Sequence, residues 1–105
     1  MTFIYHIATQ ADWDQAKRTG EYTTSTRGVT LAEEGFIHCS QASQVAGVAQ
    51  KYYQHERGLL LLVIDPGKVA SPVRYEPVPG EPDPYPHIYG PLNPDAVVEV
   101  RPYPV

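Results

Sequence analysis

One cysteine in 105 residues leaves this chain no intrachain disulfide, and the lone Cys39 fits a reducing compartment. Basic residues are also scarce: 8 Lys and Arg stand against 12 Asp and Glu, a formal charge of −4. That balance excludes a general basic surface and argues against non-specific binding to nucleic acid or to an anionic membrane. The longest aliphatic run, Leu59 to Ile64, is far short of the ~20 apolar residues a membrane-spanning helix needs. The N-terminal residues enter an apolar segment at Phe3 without a charged leader region, and the expected location is the cytoplasm. Glycine-rich phosphate loops of the Gly-x-Gly-x-x-Gly and Walker types are missing, as are the Gly-x-Ser-x-Gly elbow and the His-Glu-x-x-His and paired-cysteine metal signatures.

What is present is an ordinary folding composition, 42% hydrophobic and 19% charged. At this length it fits one domain, residues 1–105. Eight tyrosines and eleven prolines are the excesses, and the prolines crowd the C-terminal half.

Alternation over Phe3–Ala8 predicts a strand, and Thr9-Gln10-Ala11-Asp12 a capped helix running to Thr19, with Trp13 and Ala16 inward and Gly20 ending it. Glu21–Gly28 reads as a loop with some extended structure, Glu34-Gly35 as a turn and Phe36–Cys39 as a second strand. Ser40 stands at an N-cap position before a helix whose Val45, Val48, Ala49 and Tyr52 share one face. Leu59–Ile64, apolar throughout, predicts a central strand covered on both sides. Val73–Glu76, His87–Leu92 and Ala96–Arg101 supply further strands. Between them Pro77–Pro86, with five prolines, reads as an irregular surface loop. Two main helices in the first half and strands in the second indicate an α+β fold with a mixed or antiparallel sheet.

Three of the four histidines, His6, His38 and His87, lie within these strands. Imidazole is costly to bury without a partner and can donate, accept, ligate metal or move a proton near neutral pH. Alternation sets Phe36, His38 and Ser40 on one face and Ile37 and Cys39 on the other, and it pairs His87 with Tyr89. Each histidine taken singly also suits a structural, hydrogen-bonded role. His55, among Gln54, Glu56 and Arg57 at a helix end, reads as solvated surface.

The segments Tyr5-His6-Ile7, Glu34-Gly35-Phe36-Ile37-His38-Cys39-Ser40, Ile64-Asp65-Pro66, Arg74-Tyr75-Glu76 and Pro86-His87-Ile88-Tyr89-Gly90-Pro91-Leu92 resemble the bacterial domain-of-unknown-function family 952. The likeness runs from Tyr5 to about Arg101. It implies a place in the ADP-ribosyltransferase-like fold group, with a split sheet whose cleft takes NAD or a similar nucleotide. Carried onto this chain, it implies His6 on the ribose, His38 and Ser40 on the second motif, His87 at the third, catalytic motif, and Tyr89 stacked on a ring. The catalytic glutamate of many transferases has no evident counterpart, and Glu76 is the candidate acid.

Three readings stand open. In the leading one, His6, His38 and His87 are catalytic, and Ser40, Tyr89 and Glu76 bind a small nucleotide-like ligand. NAD is then a substrate, no further cofactor is required, and the chemistry is transfer at an anomeric carbon. The second reading is a non-catalytic module for a small ligand or a protein. The third is a metal-dependent hydrolase using three histidine ligands.

Overall fold

The computed structural model describes residues 2–103. Strand β1 (Ile4–Thr9) leads into helix α1 (Gln10–Thr19), and a hairpin of β2 (Thr24–Thr26) and β3 (Val29–Thr30) precedes the short helix α2 (Leu31–Glu34). Strand β4 (Ile37–His38) and helix α3 (Val45–Tyr52) follow, then β5 (Leu59–Ile64), β6 (Val73–Glu76), β7 (Tyr85–Ile88) and β8 (Val97–Tyr103). Every strand pairing among the described residues is antiparallel, so the mixed alternative does not apply. The sheet is split as expected, into three-stranded sheets ordered β1-β5-β8 and β4-β7-β6.

Local chemistry sets the boundaries. The Thr9 hydroxyl caps α1 by accepting from the Asp12 N–H at 3.1 Å, and Gly20, at φ 85°, closes it by donating to the Ala16 carbonyl. Helix α1 buries Trp13 and Ala16. Strand β5 lies between β1 and β8, and its alternate residues feed two apolar clusters. Leu62 and Ile64 join Ile4, Trp13, Tyr22, Ile37, Cys39 and Ile88, while Leu59 and Leu61 join Ile7, Val45, Val48, Tyr53 and Tyr85.

Four expectations are corrected. Helix α2 replaces the turn at Glu34; it is opened by a capping box in which Thr30 and Glu33 bond reciprocally, and Gly35 closes it. Ser40 caps no helix: its backbone pairs with Tyr5, at 2.8 and 2.7 Å, and joins the two sheets. The cap position belongs to Gln41, which opens a 3-10 turn (Ala42–Gln44) ahead of α3. Tyr52 is exposed, and Tyr53, leaving the helical path at φ −126°, is the buried tyrosine.

The fourth concerns Tyr85 and Pro86, which belong to β7 rather than to the loop, although β7 is the middle strand of its sheet. The Pro86 carbonyl accepts from the Cys39 N–H at 3.0 Å, but the imide nitrogen has no proton to return. The β4–β7 ladder stops there, and the next residue, Ser40, pairs with β1 instead. Beyond β7, Gly90 takes φ 150°, and a Cβ at that position would fall 2.9 Å from Ser71 Cβ. The chain therefore passes Ser71 only with glycine there.

Candidate functional site

Strands β4 and β7 place His38 directly opposite His87, so the two imidazoles share one face of the sheet, with ring centroids 5.6 Å apart. Strand β6 sets Arg74 opposite His87 and, two residues on, brings Glu76 to the same face. The His87 Nδ1–H donates to Glu76 Oε1 at 2.7 Å. An ionised carboxylate only accepts, so Nδ1 carries a proton, and in the neutral ring Nε2 is then the nitrogen with the lone pair. The Tyr89 hydroxyl donates to the same Glu76 oxygen. Phe36 stacks on the His87 ring at 4.0 Å and 21°.

His38 lies between the Tyr85 ring, stacked at 5.1 Å, and the edge of Tyr52. Two small cavities adjoin it. One, about 80 Å³, is lined by Val48, Lys51 and Tyr85; the other, about 240 Å³, by Thr26, Arg27 and Glu34; Tyr52 borders both. Burial, then the neighbouring His6, His87 and Lys51 charges, push the His38 pKa down to about 4. Hydrogen bonds from Tyr89 and then His87 hold the Glu76 carboxyl below its ordinary value. The Nε2 atoms of both His38 and His87 are buried and make no hydrogen bond; Ser25 Oγ, in β2, is a further such atom.

His6 converges on this site from behind. It shares strand parity with Ile4 and Ala8 and points into their apolar cluster, whereas His38 points away from the cluster that holds Ile37 and Cys39. Its Nδ1–H donates to the His38 carbonyl at 2.6 Å, and its Nε2 accepts from the Tyr22 hydroxyl at 2.8 Å. Both nitrogens are thus engaged, and burial lowers the pKa to about 4. His6 holds up the backbone of the site and offers no free atom to it. The three-histidine metal reading fails on the same observation. Two imidazoles with free nitrogens fall short of the three protein ligands of a catalytic zinc centre, and among the described residues no group of three His, Cys, Asp or Glu is placed to hold a metal.

The other expected residues divide. Glu76 and Tyr89 belong to the site through His87. Ser40 is buried beside it in the sheet junction. Cys39 faces the core, where burial pushes its thiol pKa up and keeps the sulfur protonated. His55 is exposed, as expected. Tyr85, Lys51 and Arg27 carry no expectation from sequence, while Phe36 is expected on the His38 face and Tyr52 on the helix face of Val45 and Val48, neither as a site residue. Alternation back from His87 reaches Tyr85, and from His38 reaches Phe36, but the partners from α3 and from the turn after β2 carry no such signal.

No helix among the described residues is long and apolar enough to cross a membrane. A comparison with curated proteins finds no match. Among solved structures, the chain is similar to the crystal structure of protein CC0527 from Caulobacter crescentus, at 30% identity and a TM-score of 0.84, covering 96% of this chain and 85% of that one. The solution NMR structure of CC0527 gives a TM-score of 0.78 at 30% identity, with 97% and 84% covered. The model of the family described as "Protein of unknown function (DUF952)" matches residues 7–100. This chain, with its histidines split between the core and the outer face of a divided sheet, belongs to the DUF952 family.

Proposed function

We propose that the outer face of the β4-β7-β6 sheet binds a small nucleotide-like ligand, NAD or a related ribose phosphate, and that His87 acts there as a general base on a hydroxyl. The observation that carries the reading is the His87 imidazole: buried, held by Glu76 in the Nδ1–H form, and left with an unpartnered Nε2 lone pair. A buried lone pair of this kind calls for a hydrogen-bond donor. A carboxylate-oriented imidazole with a free nitrogen is the arrangement that takes a proton from an alcohol or water. His38, kept neutral by burial, supplies a second hydrogen-bonding nitrogen.

With NAD as substrate, the bond from the anomeric carbon to nicotinamide breaks and its electron pair neutralises the pyridinium nitrogen. The acceptor oxygen bonds to that carbon, and its proton passes to His87 Nε2, where Glu76 stabilises the imidazolium. Tyr52 borders both cavities beside His38, where its ring can meet a base, and Lys51 and Arg27 border one cavity each. The NAD assignment and the ADP-ribosyltransferase-like fold grouping rest on the motif likeness, which is an analogy and no measure of activity.

A second reading, a binding module without turnover, draws on the shielding of both Nε2 atoms from solvent. Ligand-observed NMR with NAD separates the two. Binding with release of free nicotinamide that is lost in His87→Gln supports the enzyme. Saturable binding without release supports the module, and neither at millimolar NAD overturns the nucleotide reading.

A further inference from the structure

We propose that Tyr89 is a positioning residue that sets the proton affinity of His87 through their shared acceptor, Glu76 Oε1; the inference deepens the general-base reading and rests on it. The Tyr89 hydroxyl and the His87 Nδ1–H both donate to this one carboxylate oxygen. A carboxylate oxygen that accepts two donors gives each a weaker bond, and less of its charge remains to stabilise an imidazolium. The Arg74 guanidinium lies over the Tyr89 ring, 5.4 Å from its centroid. A cation there draws on the ring's electron density and makes the phenol a stronger donor. The sequence Arg74, Tyr89, Glu76, His87 is thus a relay running from the rim, where Tyr89 is 36% exposed, to a buried imidazole.

The groups facing His87 are few enough to test this. Phe36 and His38 meet it from β4 and the segment before it, Arg74 and Glu76 from β6, Tyr85 from β7 and Tyr89 from just beyond it. Lys51 of α3 acts on its neighbour His38. Among these, Tyr89 is the group whose hydroxyl can be removed at the rim without opening a buried space.

The experiment is a histidine-selective NMR titration of the full chain, wild type against Tyr89→Phe, with the His87 signals assigned by their loss in His87→Gln. Tyr89→Phe is expected to raise the His87 midpoint by ~0.5 unit or more, because Glu76 then serves the imidazolium alone. Tyr75→Phe removes an exposed hydroxyl from the opposite face of the same strand pair and is expected to leave the midpoint unchanged. An unchanged or lowered midpoint in Tyr89→Phe overturns the proposal, as does an equal rise in Tyr75→Phe or the absence of any His87 titration between about pH 4 and about pH 9. The readout needs no substrate. A shifted midpoint without NAD binding sinks the nucleotide reading alone, while His87-dependent nicotinamide release with an unmoved midpoint sinks only the relay.

Discussion

The two three-stranded sheets of this protein spend their side chains differently. In β1-β5-β8 the middle strand is Leu59–Ile64, apolar at every position and feeding a cluster on each side. In β4-β7-β6 the middle strand is Tyr85–Ile88, where Ile88 joins one apolar cluster and Tyr85 the other, and His87, buried on the Tyr85 face, meets the carboxylate of Glu76. The first sheet is organised for burial. The second carries two buried imidazole nitrogens with no hydrogen-bond partner, an arrangement that costs stability. His6 stands on the boundary: it belongs to the first sheet, and its Nδ1–H holds the backbone of the second.

This contrast is easiest to break at its apolar end. Leu62→Ala empties a fully buried position in the middle of the first sheet, and a loss of about 3–4 kcal/mol in chemical denaturation is expected. A loss under ~1 kcal/mol would mean that β5 is not the keystone the packing makes it.

Acid should act on the histidines. The His6 pKa in the folded protein lies near 4, below its ordinary 6.5, so the unfolded chain takes up the proton first as pH falls. Stability contributed by the neutral form is therefore full above about pH 6.5 and drains away down to about pH 4, by up to ~3 kcal/mol. His38 titrates in the same direction over the same window. Denaturation midpoints that stay flat from pH 7 to pH 4.5 would contradict this.

Removing His6 itself leaves the Tyr22 hydroxyl and the His38 carbonyl without their partner. His6→Ala should cost about 2–3 kcal/mol, and activity should fall only as far as the fold does. At the other end of the scale stands His38→Leu, which removes an unpartnered buried nitrogen. Its stability is expected within ~1 kcal/mol of wild type, or above it, while ligand binding is lost. Destabilisation of His38→Leu by as much as His6→Ala would erase the distinction between the structural and the ligand-facing histidine.

Much of the architecture is legible in the sequence because it is locally encoded. The Thr9 cap and Gly20 stop fix α1, the unbroken aliphatic run marks β5 as central, and alternation correctly places His38 opposite in face to Cys39. Helix α2 is missed because four residues offer no hydrophobic period, although Thr30 and Glu33 hold the capping-box spacing that would have marked it. Tyr53 takes the buried role because the chain leaves the helical path at that residue, at φ −126°, a turn that a period counted up to Tyr52 does not foresee. Pro86 enters a middle strand because its missing N–H falls where the β4 ladder ends, a fact of register that composition does not carry. The candidate site shows the same limit. Three strand histidines are evident, yet which face of which sheet each one enters depends on pairings between segments dozens of residues apart.

The residue at which these pairings meet is His38, whose carbonyl is gripped from the core at 2.6 Å by His6 while its ring looks outward. One amino acid is thereby a rocker with its two arms in different media. Through that carbonyl the Tyr22 hydroxyl, bonded to the other nitrogen of His6, is joined to the backbone of β4, so the outer ring is held in place from the core without any side-chain contact to it.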